Sequence, residues 1–128
     1  MKNTEIVFIL PNLHIGGAQR VAIDLANSLA MKKNVNILLF NSSGDLQDEI
    51  SKNIKIINLK SRRSVFAISK LARYLKEYKP QCIFSSQPHT TAITWIAKKI
   101  SNWNGKFVTR ETNSFSEDIH RKLTIKEK

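Results

Sequence analysis

The sequence predicts an α/β domain with a doubly wound parallel sheet. Short apolar runs without polar interruption, of which Ile6–Leu10 is the first, are typical of strands buried on both faces. Segments with apolar residues three and four positions apart alternate with these runs, as helices do in β-α-β units. No hairpin turn joins successive strands, so we expect parallel pairing and ligands beyond the carboxyl ends of the strands.

The first half of the chain predicts three strands and one long helix. The strand Ile6–Leu10 ends at Pro11, and residues 35–40 and 54–59 are the next two strands. A short helix is expected over residues 45–51. The apolar positions of the first long helix share one face: they are Ala18, Val21, Ala22, Leu25, Ala26 and Leu29.

The second half continues the same alternation. Ser64 and Pro80 are the expected N-cap and stop of a second helix, and residues 82–85 and 106–110 are strands. Its apolar stripe is Ile68, Leu71, Ala72, Leu75 and Tyr78. A third helix over residues 90–100 has a stripe of Ile93, Ile96, Ala97 and Ile100. The predicted order is therefore β-α-β-β-α-β-α-β.

Length and cysteine content restrict the class of protein. A chain of 128 residues corresponds to one domain. The single cysteine, Cys82, excludes an internal disulfide and a multi-thiolate zinc site, so we expect a metal-free intracellular protein. No apolar run is long enough to span a bilayer, which predicts a soluble or peripheral protein.

The charge is strongly basic and unevenly distributed. The formal net charge is +11, and residues 1–50 hold 4 basic and 5 acidic side chains whereas residues 51–128 hold 17 and 5. Such asymmetry predicts an anionic partner: nucleic acid, an acidic membrane surface or a phosphorylated ligand.

A glycine-rich loop, HIGGAQR from His14 to Arg20, lies between the first strand and the first helix. Adjacent glycines leave no side chain between the helix N-terminus and a ligand, so its N–H groups can face a phosphate or diphosphate. The loop lacks the spacing of dinucleotide folds and of P-loops, which disfavours NAD and ATP. The alternative is that Gly16 and Gly17 only make a tight turn.

Residues 6–30, IVFILPNLHIGGAQRVAIDLANSLA, resemble the opening strand, loop and helix of glycosyltransferase family 4. The resemblance extends more loosely over residues 1–113 and implies the amino-terminal, acceptor-side half of a two-domain GT-B enzyme. It places the phosphates of a nucleotide-sugar donor against Gly16 and Gly17, with Arg20 adding positive charge. The alternative for Arg20 is a solvated helix residue.

The resemblance also implies acceptor-side residues at later strand ends. His89 is the candidate that polarises the acceptor hydroxyl or receives its proton. The other expected cleft residues are His14, Arg110, Glu111 and Asn113. A surface position for each histidine, and a plain ion pair between Arg110 and Glu111, are the alternatives. The donor is a substrate, and no cofactor or metal is implied.

Residues 52–79 hold nine Lys or Arg and one acid, Glu77. This composition resembles a basic helix that binds an anionic membrane surface, and a solvated basic face is the alternative. The expected membrane-facing residues are Lys60, Arg62, Arg63, Lys70, Arg73 and Lys76. A nucleic-acid interface is disfavoured because no helix-turn-helix, GXXG loop or zinc pattern is present.

We therefore expect a retaining, metal-independent transferase that moves a sugar to a glycan or lipid-linked acceptor in cell-surface polysaccharide assembly. It would be cytoplasmic and peripheral at the inner face of the cell membrane. The second hypothesis is a noncatalytic membrane-facing subunit that recruits a separate donor-binding chain. The paired-glutamate segment of the donor half is missing, so residues 114–128 are expected to be a polar tail at a truncation. The chain alone is then expected to be inactive.

Overall fold

The computed structural model describes residues 6–109, and five strands and three α-helices lie in this range. The strands are β1 (Ile6–Leu10), β2 (Val35–Leu39), β3 (Lys55–Asn58), β4 (Cys82–Ser85) and β5 (Lys106–Thr109). The helices are α1 (Gly17–Leu29), α2 (Ser64–Tyr78) and α3 (Pro88–Ser101), with a 3₁₀ turn, Leu46–Glu49, between β2 and β3. The predicted order of elements is confirmed.

All five strands are parallel and follow the spatial order β3-β2-β1-β4-β5. At the centre, Phe8 of β1 lies between Ile37 of β2 and Phe84 of β4. Along the chain, β2 and β3 are added on one side of β1, and β4 and β5 are then added on the other side of β1. The predicted doubly wound sheet is therefore confirmed, with its switch of direction between β1 and β4.

Hydrophobic clusters cover both faces of the sheet. Val7 and Ile9 of β1 pack in the cluster that contains α2 and α3. Phe8 and Leu10 pack in the other cluster, with α1 and the 3₁₀ turn. Because successive side chains of a strand point to opposite faces, a strand covered on both sides is apolar at every position.

The buried faces of two helices differ from the predicted stripes. Val21 and Leu25 of α1 are 36% and 38% exposed, whereas Ile23 is buried. Ile96 and Ile100 of α3 are 44% and 56% exposed. The buried positions of α3 include small polar side chains, namely Thr90, Thr94 and Ser101. The Thr94 hydroxyl donates to the Thr90 carbonyl, so its burial leaves no polar group unpaired.

The predicted N-cap of α2 is wrong by one residue. The helix begins at Ser64, and Arg63 occupies the N-cap with extended backbone angles. The predicted stop is confirmed, because α2 ends at Tyr78, Lys79 adopts the left-handed conformation, and Pro80 follows.

The loop after β1 is joined to the loop after β2 at Gly44. The Leu13 amide donates to the Ser43 carbonyl at 2.8 Å, and the Leu46 amide donates to the Leu13 carbonyl at 3.1 Å. Gly44 has φ +119°, and a Cβ at this position would overlap the Leu13 carbonyl carbon. Only glycine therefore allows this close approach of the two loops.

We expect Gly44→Ala to lower the free energy of unfolding by at least about 1–3 kcal/mol, the usual cost of a strained backbone position. Denaturant unfolding measures this change. Gly17→Ala is the matched control, since a Cβ there meets no atom within 4 Å. Equal stability of the two variants would contradict the proposed role of Gly44.

Candidate functional site

The carboxyl ends of the parallel strands all lie at the same end of the sheet, which we call the carboxyl edge. The chain leaves β1 toward α1 on one face and leaves β4 toward α3 on the opposite face. A crevice between two such diverging loops is the usual ligand site of an open α/β sheet. The glycine loop follows β1 and His89 follows β4, so both lie at this edge.

The glycine loop leaves the N-terminus of α1 uncovered. Gly16 is the N-cap with extended backbone (φ −172°), and no side chain caps the helix. Neither Gly16 nor Gly17 has a positive φ, so the backbone angles do not require glycine at either position. A Cβ on Gly17 would enter open space. What these glycines provide is access to the first amides of α1.

Neighbouring side chains hold the loop in place. Asn12 Oδ1 accepts hydrogen bonds from the His14 amide at 3.0 Å and from Gln19 Nε2 at 3.3 Å. Arg20 forms an ion pair with Glu49 at 2.7 Å, and both side chains are about half exposed. The glutamate therefore offsets the positive charge that we expected Arg20 to offer a donor.

The imidazole of His14 lies over the end of β2. Its Nε2 is 3.1 Å from Ser43 Oγ, and the side chain is exposed. His14 thus lies at the carboxyl edge, and its contact there is to the loop after β2.

A buried hydroxyl network fixes the turn between β4 and α3. Ser85 Oγ is 2.8 Å from Thr90 Oγ1 and 3.0 Å from Thr91 Oγ1, and Thr90 Oγ1 donates to the Gln87 carbonyl. Ser86 Oγ is also buried and has no hydrogen-bond partner within residues 6–109. This network determines where α3 begins and so positions His89, its second residue.

His89 is exposed at the rim of a small pocket. Its ring meets Phe40 edge-on, with the ring centroids 6.5 Å apart. The pocket measures about 170 Å³. Its lining comes from the ends of β1, β2 and β3 and from both following helices: Pro11, Phe40, Asn41, Ser61, Arg62, Arg63, Ala67, His89 and Ile93.

Sequence reasoning missed that Arg62 and Arg63 share this pocket with His89. More than twenty residues separate them in the chain, and they meet because α2 and α3 pack on the same face of the parallel sheet. The sequence contains one signal for this pocket, the basic dipeptide Arg62-Arg63 shortly after a predicted strand. A wider cleft of about 630 Å³ adjoins the pocket, and Asn41, Ser61 and Arg62 line both.

The six residues expected to face a membrane have different local contacts. Lys60, Arg62 and Arg63 lie at the carboxyl edge. Lys70 Nζ donates to the Leu59 carbonyl at 2.7 Å, which ties α2 to the end of β3. Arg73 and Lys76 line an apolar groove beside α3. Three other candidates, Arg110, Glu111 and Asn113, lie outside the described residues, as does the predicted tail 114–128.

Cys82 lies away from this edge. It is the first residue of β4, at the amino end of the sheet. Burial raises the pKa of its thiol, and the nearby Lys106 ammonium opposes this shift. Less thiolate is therefore present than for an exposed cysteine, which makes Cys82 a poor nucleophile.

Residues 6–109 contain no cluster of three or more His, Cys, Asp or Glu side chains suited to a metal ion. In the same range, no helix has both the length and the apolarity needed to cross a membrane.

No protein-family model matches the chain. The chain is 29% identical over 119 residues to the Campylobacter jejuni GalNAc-alpha-(1->4)-GalNAc-alpha-(1->3)-diNAcBac-PP-undecaprenol alpha-1,4-N-acetyl-D-galactosaminyltransferase, covering 85% of this chain and 33% of the relative. The fold is similar to the apo form of the lipopolysaccharide outer core galactosyltransferase WaaB, with TM-score 0.68, 18% identity and coverage of 84% and 33%. The chain thus spans a third of the length of each. It is similar in sequence to a glycosyltransferase, and its sheet matches a Rossmann-like half of a GT-B enzyme.

Proposed function

We propose that this chain is the acceptor-side half of a retaining glycosyltransferase of family 4, which moves a sugar from a nucleotide sugar to a glycan or lipid-linked acceptor. The observation that carries the proposal is the sequence similarity to the Campylobacter galactosaminyltransferase over 85% of the chain. The fold of WaaB, a second sugar transferase, supports it independently of sequence.

The first amides of α1 are the proposed contact for the donor diphosphate. Gly16 and Gly17 leave these N–H groups uncovered, and the positive end of the helix dipole lies at the same point. The diphosphate is the leaving group of sugar transfer, so amides here stabilise the negative charge that develops as the bond to the sugar breaks. Arg20, held by Glu49, is a secondary contributor.

His89 is the proposed residue at the acceptor hydroxyl. It lies across the switch point from the glycine loop, on a helix that the Ser85 network holds in place. A neutral imidazole there accepts the hydroxyl proton as the new glycosidic bond forms. His14 and the polar loop after β2 line the same edge. No cofactor or metal enters this scheme.

The nucleoside and sugar of the donor need a second binding surface, as in other two-domain transferases. We propose that a further polypeptide region, in one longer protein or in a separate chain, supplies it. Holding both substrates in reactive geometry contributes about 7–11 kcal/mol to lowering the barrier. The 128 residues alone therefore bind ligands without turning them over.

An anionic membrane is the proposed docking partner of the helical face. A groove of about 460 Å³ lies between α2 and α3, with apolar walls from Val65, Ile68 and Ile100 and with Arg73 and Lys76 beside them. Exposed apolar side chains flanked by cations suit the boundary between lipid headgroups and acyl chains. Further exposed residues of these helices are Phe66, Trp95 and Ile96, and the Lys98 and Lys99 ammonium groups lie over the Trp95 ring.

Gly17→Val tests the donor site. We expect the wild-type chain to bind a nucleoside diphosphate with a millimolar or weaker dissociation constant, because an exposed helix terminus contributes only about 0.3–1 kcal/mol. NMR titration should shift the Gly16 and Gly17 amides. A valine places a branched side chain over these amides and should abolish the shifts, while the open space around Gly17 lets the fold persist.

Ser28→Val, a similar change at an exposed position near the other end of α1, is the control and should titrate like wild type. Unperturbed glycine amides at tens of millimolar ligand would contradict the donor site, as would undiminished binding by the valine variant at position 17.

Sugar transfer by the purified chain tests the half-enzyme proposal. We expect no sustained transfer from labelled nucleotide sugars to glycan or prenyl-linked acceptors, since the second substrate surface is absent. A complete transferase assayed in parallel shows that the substrates are competent. Multiple turnovers by the 128-residue chain alone would overturn the proposal.

Arg73→Glu/Lys76→Glu tests membrane docking. Each basic residue near an anionic bilayer contributes about 1 kcal/mol, so losing both attractions should weaken binding roughly thirtyfold. Co-sedimentation with phosphatidylglycerol vesicles measures the effect, and neutral phosphatidylcholine vesicles should recover little protein. Lys52→Glu/Lys55→Glu has the same change in charge at the amino end of β3 and should bind nearly as wild type. Equal recovery with both kinds of vesicle would refute docking.

A further inference from the structure

The loop between β3 and α2 is a rigid support for two exposed arginines. Ser61 is buried, its amide donates to the Phe40 carbonyl at 2.8 Å, and its hydroxyl donates to the Arg63 carbonyl at 2.8 Å. Lys60 adopts the left-handed conformation (φ 51°), and its amide is held by Asn58 Oδ1. The backbone of Arg62 and Arg63 is thus fixed while their side chains remain accessible.

The pocket beside this loop is strongly electropositive. Arg62 and Arg63 lie on one side and His89 on another, and none of its lining residues is acidic. Helix α2 begins directly after Arg63, and α3 begins one residue before His89. The positive ends of two helix dipoles therefore add to two guanidinium charges. An anion is the ligand that this combination stabilises.

Its size and donors suit a compact tetrahedral oxyanion such as a phosphate group. At about 170 Å³ the pocket is smaller than the roughly 300–1,000 Å³ of sites that enclose drug-sized ligands, so a compact group fits. Two bidentate guanidinium contacts use all of the roughly four lone-pair sites of a single carboxylate. A phosphate group has enough oxygens for paired contacts with both arginines.

The adjoining cleft combines Lys60 and Arg62 with several neutral polar side chains. Its further lining includes Ser42, Ser43 and Asn58, whose hydroxyl and amide groups match the hydrogen-bonding pattern of sugar hydroxyls. Arg62 lines both the pocket and the cleft, so a single ligand can occupy both. The cleft measures about 630 Å³ and opens widely to solvent, so it can contact one face of a sugar ring.

We infer that this edge binds a glycosyl phosphate, with the phosphate held by Arg62 and Arg63 and the sugar in the cleft lined by Asn41, Ser43 and Asn58. The inference deepens the proposed function and rests on it only for the ligand's role as acceptor. It reassigns Arg62 and Arg63 from membrane contact to ligand binding. Soluble sugar phosphates and lipid-carried glycosyl phosphates share the chemistry that the pocket recognises.

NMR titration of the 128-residue chain with glucose 1-phosphate tests the site. We expect shifts of the Ser61, Arg62, Arg63 and His89 amides, weaker binding of inorganic phosphate, and none of glucose at equal concentration. Arg62→Ala/Arg63→Ala should weaken binding at least about tenfold, because charge-assisted bonds to phosphate are lost. Lys52→Ala/Lys55→Ala removes the same charge elsewhere and should change the affinity less than about twofold.

Equal binding of glucose and glucose 1-phosphate, or equal losses in the two double variants, would overturn the inference. Chemical-shift perturbations confined to other amides would also overturn it, and this measurement needs no variant.

Vesicles that carry a prenyl glycosyl phosphate, compared with phosphatidylglycerol vesicles of equal charge, identify the source of the glycosyl phosphate. If the prenyl glycosyl phosphate vesicles bind more protein and this excess depends on the two arginines, the ligand is the lipid-carried form. If no excess appears although glucose 1-phosphate binds, the ligand is the soluble form. Nucleoside diphosphate shifts at Gly16 and Gly17 report separately on the proposed function.

Discussion

The structure depends on the reversal of strand order between β1 and β4. Because β1 is central, its alternate side chains are covered by α1 on one face and by α2 and α3 on the other. The loops that leave β1 and β4 therefore diverge and open a crevice at the carboxyl edge. Every candidate ligand contact within residues 6–109, from Gly17 to His89, lies on a loop or helix start that this topology brings there.

Local contacts turn these strand ends into fixed positions for functional groups. Gly44 joins the loops after β1 and β2, Ser61 holds the arginine pair, and the Ser85 hydroxyl holds the start of α3. Arg62 and Arg63 line a pocket at this edge that has no acidic lining residue, whereas Arg20 is paired with Glu49. Hydrogen-bonded loops thus present positive charge at this edge, an arrangement that suits anionic ligands.

The strands could be predicted closely because strands covered on both faces are apolar at every position, as Ile6–Leu10 is. The buried helix faces were less predictable. Leu25 is partly exposed and Thr94 is buried, since a hydroxyl bonded within its own helix can enter the core. The glycine loop was found from sequence, but the pocket of Arg62 and His89 was not, because it exists only once α2 and α3 pack side by side on one face of the sheet.

A crystal structure of the chain soaked with a nucleoside diphosphate and glucose 1-phosphate tests the central claim, that the carboxyl edge is the two-substrate side of a sugar transferase. The account predicts the diphosphate against the Gly16 and Gly17 amides and the phosphate of the sugar against Arg62 and Arg63. Both ligands would then lie at one edge of the sheet. Ligands bound at the amino edge or on the helical face, with the carboxyl edge open to solvent and unoccupied, would contradict it.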